Sequence, residues 1–199
     1  GGFSYANNQG YLYAKEHFGA GYILVLNNDI QFIQKDVISI LESSYQNNPC
    51  HILGPDVIRH GTKEHQNPMA TRLRTKEEAR YTIKMNRLAL RFYPVMYPIV
   101  YNMLRKAERD KAANQEQQIR LSSQIQKDIV PFGACLIFTP LFVEKEQKAF
   151  DPETQFFYEE YILALRCQRE GYKVVYDPAM TVYHESGAAT KKSYGTEKK

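Results

Sequence analysis

Cysteine is scarce in this chain of 199 residues: Cys50, Cys135 and Cys167 are the whole complement, far apart and odd in number. Such a set offers neither a disulfide framework nor the paired spacing of a zinc site. Cys135 and Cys167 stand among apolar neighbours and read as small buried side chains, and a reducing, cytosolic setting is the simplest expectation. A basic start followed by an apolar stretch is also lacking, so no signal peptide is visible. The chain opens on Gly1-Gly2-Phe3 without an initiator methionine and reads as a fragment. Long apolar runs are missing too. The richest, Leu88 to Leu104, is interrupted by Arg91, Pro94 and Pro98 and makes a poor membrane-spanning helix.

What is present is the composition of a folded globular chain, 43% hydrophobic and 24% charged, which argues against disorder. The length suits one compact α/β domain, alone or with a helical appendage. The net charge of +4 fits an anionic partner such as a nucleotide or a lipid surface. Part of that charge sits in a basic tail, Lys191, Lys192, Lys198 and Lys199, and many surfaces without a specific partner carry as much.

Along the chain, Asn8 to Phe18 has helical spacing, with Tyr11, Ala14 and Phe18 on one face and Gly19 and Gly21 as the stop. Tyr22-Ile23-Leu24-Val25-Leu26 is an unbroken apolar run of strand length, as in a central strand covered on both faces. It stops at Asn27-Asn28-Asp29. Val37, Ile40, Leu41 and Ser44 predict the next helix, with Asp36 as its N-cap. His51-Ile52-Leu53 reads as a second short strand ended by Gly54-Pro55. Strand, helix, strand is a parallel α/β unit.

Residues 76–127 depart from this pattern. They are rich in Lys, Arg, Glu and Gln with scattered aromatics, broken at Pro94 and Pro98, and predict a helical insertion or a surface-docking arm. Ile129 to Phe138 returns to strand character. Phe156 to Glu170 predicts a helix with Ile162 and Leu165 inward and Gly171 as its C′ residue. Lys173–Tyr176 and Met180–Tyr183 read as two short strands separated by Asp177-Pro178, and the chain after Gly187 as a mobile tail. No internal repeat is evident.

Three groups carry chemistry. Asp29 closes a buried strand, where open α/β sheets place ligands. A carboxylate there, beside two amides, can hold a divalent cation that bridges phosphates. A turn cap explains the same residues, because Asn and Asp are favoured in that role as well. Glu159-Glu160 follows the aromatic run Phe156-Phe157-Tyr158. These acids serve a helix N-terminus whatever their function, yet a partly desolvated carboxylate also suits a general base. His184 ends the last strand, as surface histidines often do, and neutral imidazole is a good ligand for manganese-like ions.

In this order along nearly the whole chain, the segments resemble the family 2 glycosyltransferases, in particular the bacterial branch that builds rhamnose-containing and capsular polysaccharides. Gly2-Phe3-Ser4-Tyr5-Ala6-Asn7-Asn8-Gln9-Gly10 resembles that family's Gly- and Asn-rich segment before a helix near the nucleotide. The run ending in Asn27-Asn28-Asp29 resembles its strand with an Asp-x-Asp-like metal motif, with Asn27 at the first position and Asp29 as the main carboxylate ligand. Gly133-Ala134-Cys135-Leu136-Ile137 resembles the segment lining the acceptor side. Phe150-Asp151-Pro152-Glu153 and Phe156-Phe157-Tyr158-Glu159-Glu160 resemble its Phe-Asp-Glu and Glu-Asp elements. Gly171-Tyr172-Lys173 and Val182-Tyr183-His184 complete the set.

The resemblance implies a GT-A-type mixed sheet flanked by helices and an inverting sugar transfer from a nucleoside-diphosphate sugar to a saccharide or lipid-linked acceptor. Glu160, or Glu159, would be the base; Asp29 and His184 would hold Mg²⁺ or Mn²⁺; Asn7, Asn8, Gly10, Asn27 and Asn28 would line the donor. Glu160 stands where the family commonly has Asp, which leaves the choice between the two glutamates open. The family's first strand would lie upstream of Gly1, so part of the nucleotide pocket and a partner for one sheet edge are expected to be missing.

Softer features remain. His65-Gln66-Asn67-Pro68 resembles an acceptor-side loop of the same branch and equally reads as a polar turn. The basic and aromatic stretch from Arg80 to Arg105 could rest on the inner face of the plasma membrane, or could be an ordinary amphipathic packing helix. A non-catalytic relative that binds carbohydrate or protein is the competing function. Nucleic acid is a weaker candidate, supported by basic charge alone.

Overall fold

The computed structural model describes residues 2–62, 64–92, 97, 101–102, 106, 122–153 and 158–185. The chain forms two compact units, Gly1–Leu73 with Ser122–Lys199, and Arg74–Leu121. The first is an α/β unit. In chain order it holds α1 (Phe3–Phe18), β1 (Ile23–Leu26), β2 (Ile30–Phe32), α2 (Val37–Asn47) and β3 (Ile52–Arg59). After the second unit, whose described helix is α3 (Lys76–Arg91), come β4 (Gln126–Lys127), β5 (Cys135–Phe138), α4 (Pro140–Val143), α5 (Glu159–Glu170) and β6 (Val174–His184).

The strands form one mixed sheet in the order β1-β5-β3-β6-β2, with β4 beside β6. Alternation along the strands sends side chains to two cores. Ile23, Val25, Ile52, Leu136, Phe138, Val174 and Tyr176 face one side, where they meet Tyr11 of α1, Phe142 of α4 and Leu163 and Cys167 of α5. Leu53, Ile137 and Val175 face the other, against Leu41 of α2. Edge-to-face contacts of Tyr11 with Phe138 and Phe142 fill the first core. All three cysteines are buried and free, and burial pushes each thiol up to about 12.

Several sequence expectations are corrected by tertiary pairing. β1 lies at an end of the strand order rather than at its centre, although both its faces are packed. The β1–α2–β3 unit is split, because β5 inserts between the two strands and runs antiparallel to both. The parallel neighbours are β3 and β6. β3 runs through Gly54-Pro55 instead of stopping there. Pro55 faces Asp177 at a register shift, where the next pair is Asp56 with Thr181, and a proline is tolerated at such an irregularity. For the same reason the two short strands expected around Asp177-Pro178 are a single bulged strand.

Helix boundaries also move. α1 starts at Phe3, and Phe18 is exposed rather than inward. The strand expected over Ile129 to Phe138 is confined to β5, with Val130 making an isolated bridge to Ala70. α5 buries Leu163, Ala164 and Cys167 while Leu165 faces out, and Gly171 closes it in the left-handed conformation with φ 69°. Phe156, Phe157, Pro94, Pro98 and the tail after Gly187 lie outside the described residues. In the second unit, Thr75 and Glu78 form a capping box at the start of α3, and none of that helix's residues is buried. Among the described residues no helix is long and apolar enough to cross a membrane.

One short link shapes the sheet. Asn27, Asn28 and Asp29 join β1 to β2, the strands at opposite ends of the order. Leu26 and Ile30 can be at most about 14 Å apart along an extended chain. A flat sheet would separate those strands by about 19 Å. The upper halves of β3 and β6, beyond the bulge, must therefore twist across the end of the β1–β5 pair. A small core of Val57, Cys135 and Val182, with Ile30 and Phe132 against it, fills the corner so formed.

A buried clamp ties α1 to the rest. Asn8 Nδ2 donates to Phe150 O at 3.0 Å and Asn8 Oδ1 accepts from Phe150 N at 2.9 Å. Removing the amide strands two buried backbone groups, so Asn8→Ala is expected to cost about 2–4 kcal/mol in urea unfolding. A loss below about 0.5 kcal/mol would show that water satisfies these groups instead.

Candidate functional site

The link that bends the sheet also carries the site. Asn27 continues the pairing of β1 by donating its N–H to Ala134 O at 2.9 Å. The chain then turns, with Ile30 N–H donating back to Asn27 O at 3.3 Å, and Asp29 O accepts from Glu185 N at 3.1 Å. Ile30 pairs with His184 in the β2–β6 ladder, which brings the Asp29 carboxylate to the end of β6.

Asp29 Oδ1 lies 3.3 Å from His184 Nε2, and Asn27 Nδ2 lies 3.5 Å from the same nitrogen. On the far side of the ring, His184 Nδ1 is 2.8 Å from Gln66 Oε1. The Phe132 ring meets the imidazole edge to face, with centroids 5.8 Å apart. His184 is only 8% exposed, so these contacts hold the ring in a low-dielectric setting. An amide oxygen can only accept, so Nδ1 carries the hydrogen. In the neutral ring Nε2 then presents a lone pair to an ionised carboxylate. Two acceptors at that distance repel unless a proton or a cation lies between them.

The spacing of the pair suits a metal ion. Two adjacent ligands on an octahedral ion with bonds of about 2.1 Å stand about 3.0 Å apart, close to the separation of Asp29 Oδ1 and His184 Nε2. Among the described residues no group of three His, Cys, Asp or Glu side chains assembles as a complete metal cage. A one-carboxylate, one-imidazole site leaves the remaining positions to water and to a ligand's own oxygens. That is the usual manner in which magnesium-like ions are held with phosphates.

Phe132-Gly133-Ala134 connects this pair to the acidic start of α5. Ala134 takes the Asn27 N–H, Phe132 packs on His184, and the Glu160 carboxylate lies against Gly133. A Cβ at Gly133 would collide with Glu160 Oε1, so only glycine admits the carboxylate there. Tyr158, at φ 69° and ψ 4°, takes the left-handed conformation immediately before α5. For a non-glycine residue that costs about 1–2 kcal/mol and marks a forced turn at this point. Burial raises the Glu160 pKa above the ordinary carboxylate range, the charge of Glu159 adds to it, and backbone N–H groups of Glu160 and Gly133 oppose it. Glu159 is buried as well, and among the described residues its Oε1 has no hydrogen-bond partner.

The structure therefore brings Asn27, Asp29 and His184 together and links Glu160 to them through one short segment. Asn28 is exposed in the turn. The Asn8 amide is spent on Phe150, Asn7 Nδ2 donates to Phe3 O of its own helix, and Gly10 is exposed with open space where a Cβ would stand. Gln66, expected in an acceptor-side loop or a polar turn, lies instead against His184. Its neighbours His65 and Asn67 are anchored too, His65 to Asp56 and Asn67 to Pro55 O.

No protein-family model, no curated protein and no solved structure matches the chain.

The raised Glu160 pKa has a consequence for stability. A carboxyl group whose folded pKa lies above its unfolded value loses stability as pH rises from the unfolded to the folded value, and the deficit persists above it. Glu160→Gln removes that deficit. The variant's melting temperature relative to wild type should be higher at neutral pH than at about pH 4, where both states hold a protonated acid. A difference that does not change with pH would show that Glu160 ionises at no cost.

Proposed function

We propose that this chain is the core of a GT-A-type inverting glycosyltransferase. It moves a sugar from a nucleoside-diphosphate sugar to a hydroxyl of a saccharide or lipid-linked acceptor, in cell-surface polysaccharide synthesis. The observation that carries the reading is the Asp29–His184 pair, 3.3 Å apart at the end of a strand and joined by Phe132-Gly133-Ala134 to a carboxyl group of raised pKa. The order of the segments that resemble family 2 glycosyltransferases supports the same assignment.

In this mechanism Asp29 and His184 offer one oxygen and one nitrogen to Mg²⁺ or Mn²⁺. Held there, such an ion would supply positive charge to the departing diphosphate. Asn27 and Asn28 line the same turn and orient the donor's polar groups. Glu160, its affinity for a proton raised by burial, takes the hydrogen of the acceptor hydroxyl as that oxygen attacks the anomeric carbon from the face opposite the leaving group. Attack from that face inverts the anomeric centre. Gly133 keeps the carboxylate in place because no side chain competes for its position.

The test is a donor panel with Mn²⁺ on the full chain, reading release of nucleoside diphosphate. Glu160→Gln should lower turnover with the productive donor by about 10²-fold or more while donor affinity stays within a few-fold. Undiminished turnover would remove Glu160 as the base. Carbohydrate binding without diphosphate release from any donor would favour the non-catalytic reading.

A further inference from the structure

The segment His65-Gln66-Asn67 lies beside the upper half of β3, and each of its three side chains has a separate bonding partner. His65 Nδ1 binds both carboxylate oxygens of Asp56, at 2.8 and 3.0 Å, and Asp56 is buried. Asn67 is 1% exposed. Its Nδ2 donates to Pro55 O at 2.6 Å and its Oδ1 accepts from Phe132 N–H at 3.0 Å. Between these two anchors, Gln66 donates its backbone N–H to Val57 O at 2.7 Å and turns Oε1 onto His184 Nδ1.

A polar turn needs none of this. The anchors fix the backbone on both sides of Gln66, which leaves its side chain few places to go, and Oε1 lies on the imidazole nitrogen that faces away from Asp29. Asn67 also fixes Phe132, the ring that packs on His184. One strap thus restrains the ring at two points. Free imidazole prefers its hydrogen on Nε2, which would point a donor at Asp29 and leave no lone pair there for a cation. An acceptor on Nδ1 reverses that preference, as outer-sphere partners of metal-binding histidines do.

We propose that Gln66 is a positioning residue that holds His184 in the Nδ1–H tautomer, with Nε2 as an acceptor on the side of Asp29 and Asn27, and that His65 and Asn67 hold Gln66 in register. The metal half of this inference rests on the function proposed above. The tautomer half does not, because it concerns the metal-free protein.

Two readouts test it on the full chain. In metal-free protein at about pH 8, where an ordinary histidine is neutral, the imidazole nitrogen shifts of His184 should report the Nδ1–H form. Gln66→Leu removes the acceptor but leaves the backbone bond to Val57, and should move the ring toward the Nε2–H form. Gln66→Glu keeps an acceptor oxygen and should retain the wild-type tautomer. Titration with Mn²⁺ alone should show a loss of about 10- to 100-fold in affinity for Gln66→Leu and a smaller loss, or none, for Gln66→Glu. An unchanged tautomer in Gln66→Leu would overturn the proposal. So would a changed tautomer with unchanged Mn²⁺ affinity. If wild type takes up no Mn²⁺ while the tautomer responds as stated, the positioning role stands and the metal reading fails.

Discussion

Three residues have to reach from one end of the sheet to the other, and much of the molecule's upper half follows from that. Asn27–Asp29 is too short to bridge a flat sheet, so β3 and β6 twist past their bulge until β2 can pair with the end of β6. The twist sets His184 beside Asp29 and brings the Phe132-Gly133-Ala134 segment under the turn. Pro55, at the register shift, has no ladder hydrogen to lose there, and its carbonyl receives Asn67. The link is therefore both a topological constraint and the frame of the site.

Electrostatics make this frame costly to hold. Asp29 and His184 face each other at 3.3 Å in a largely buried position, and two further carboxyl groups crowd the start of α5. Burying unpaired negative charge costs several kcal/mol unless a cation or proton answers it. The Glu159 oxygen, without a partner among the described residues, and the left-handed Tyr158 add to that cost. Local arrangements that lower stability persist where the surroundings fix them, and they cluster at sites that bind or react.

The parts of this fold legible in the sequence were those set by local pattern. Five consecutive apolar residues before Asn27 announced β1, and Gly171 after a helical run announced the end of α5. The place of β1 in the sheet was not legible, because its partner β5 follows the whole second unit and antiparallel insertion leaves no mark on either strand. Pro55 read as a stop because the bulge that accommodates it lies in β6, far along the chain. Asp29 and His184 could be singled out from residue type and strand-end position, but there a turn cap and a surface histidine read the same, and only the resemblance to glycosyltransferases made them candidate ligands. Asn8 could not be seen as a core clamp, since its two partners are backbone atoms of Phe150. Gln66 could be placed in a loop resembling an acceptor-side one, but not against His184, for a glutamine's role is decided by what its amide meets.

The central claim is that Asp29 and His184 form one cation site for a diphosphate. The most direct measurement is paramagnetic broadening by Mn²⁺, added with a nucleoside diphosphate, across the side-chain resonances of the five histidines and of Asn27 and Asn28. The account predicts that His184 and the two asparagines broaden first, while His17 and His51 stay sharp and Asp29→Ala abolishes the effect. Broadening centred on another histidine, or broadening at His184 that survives Asp29→Ala, would contradict it.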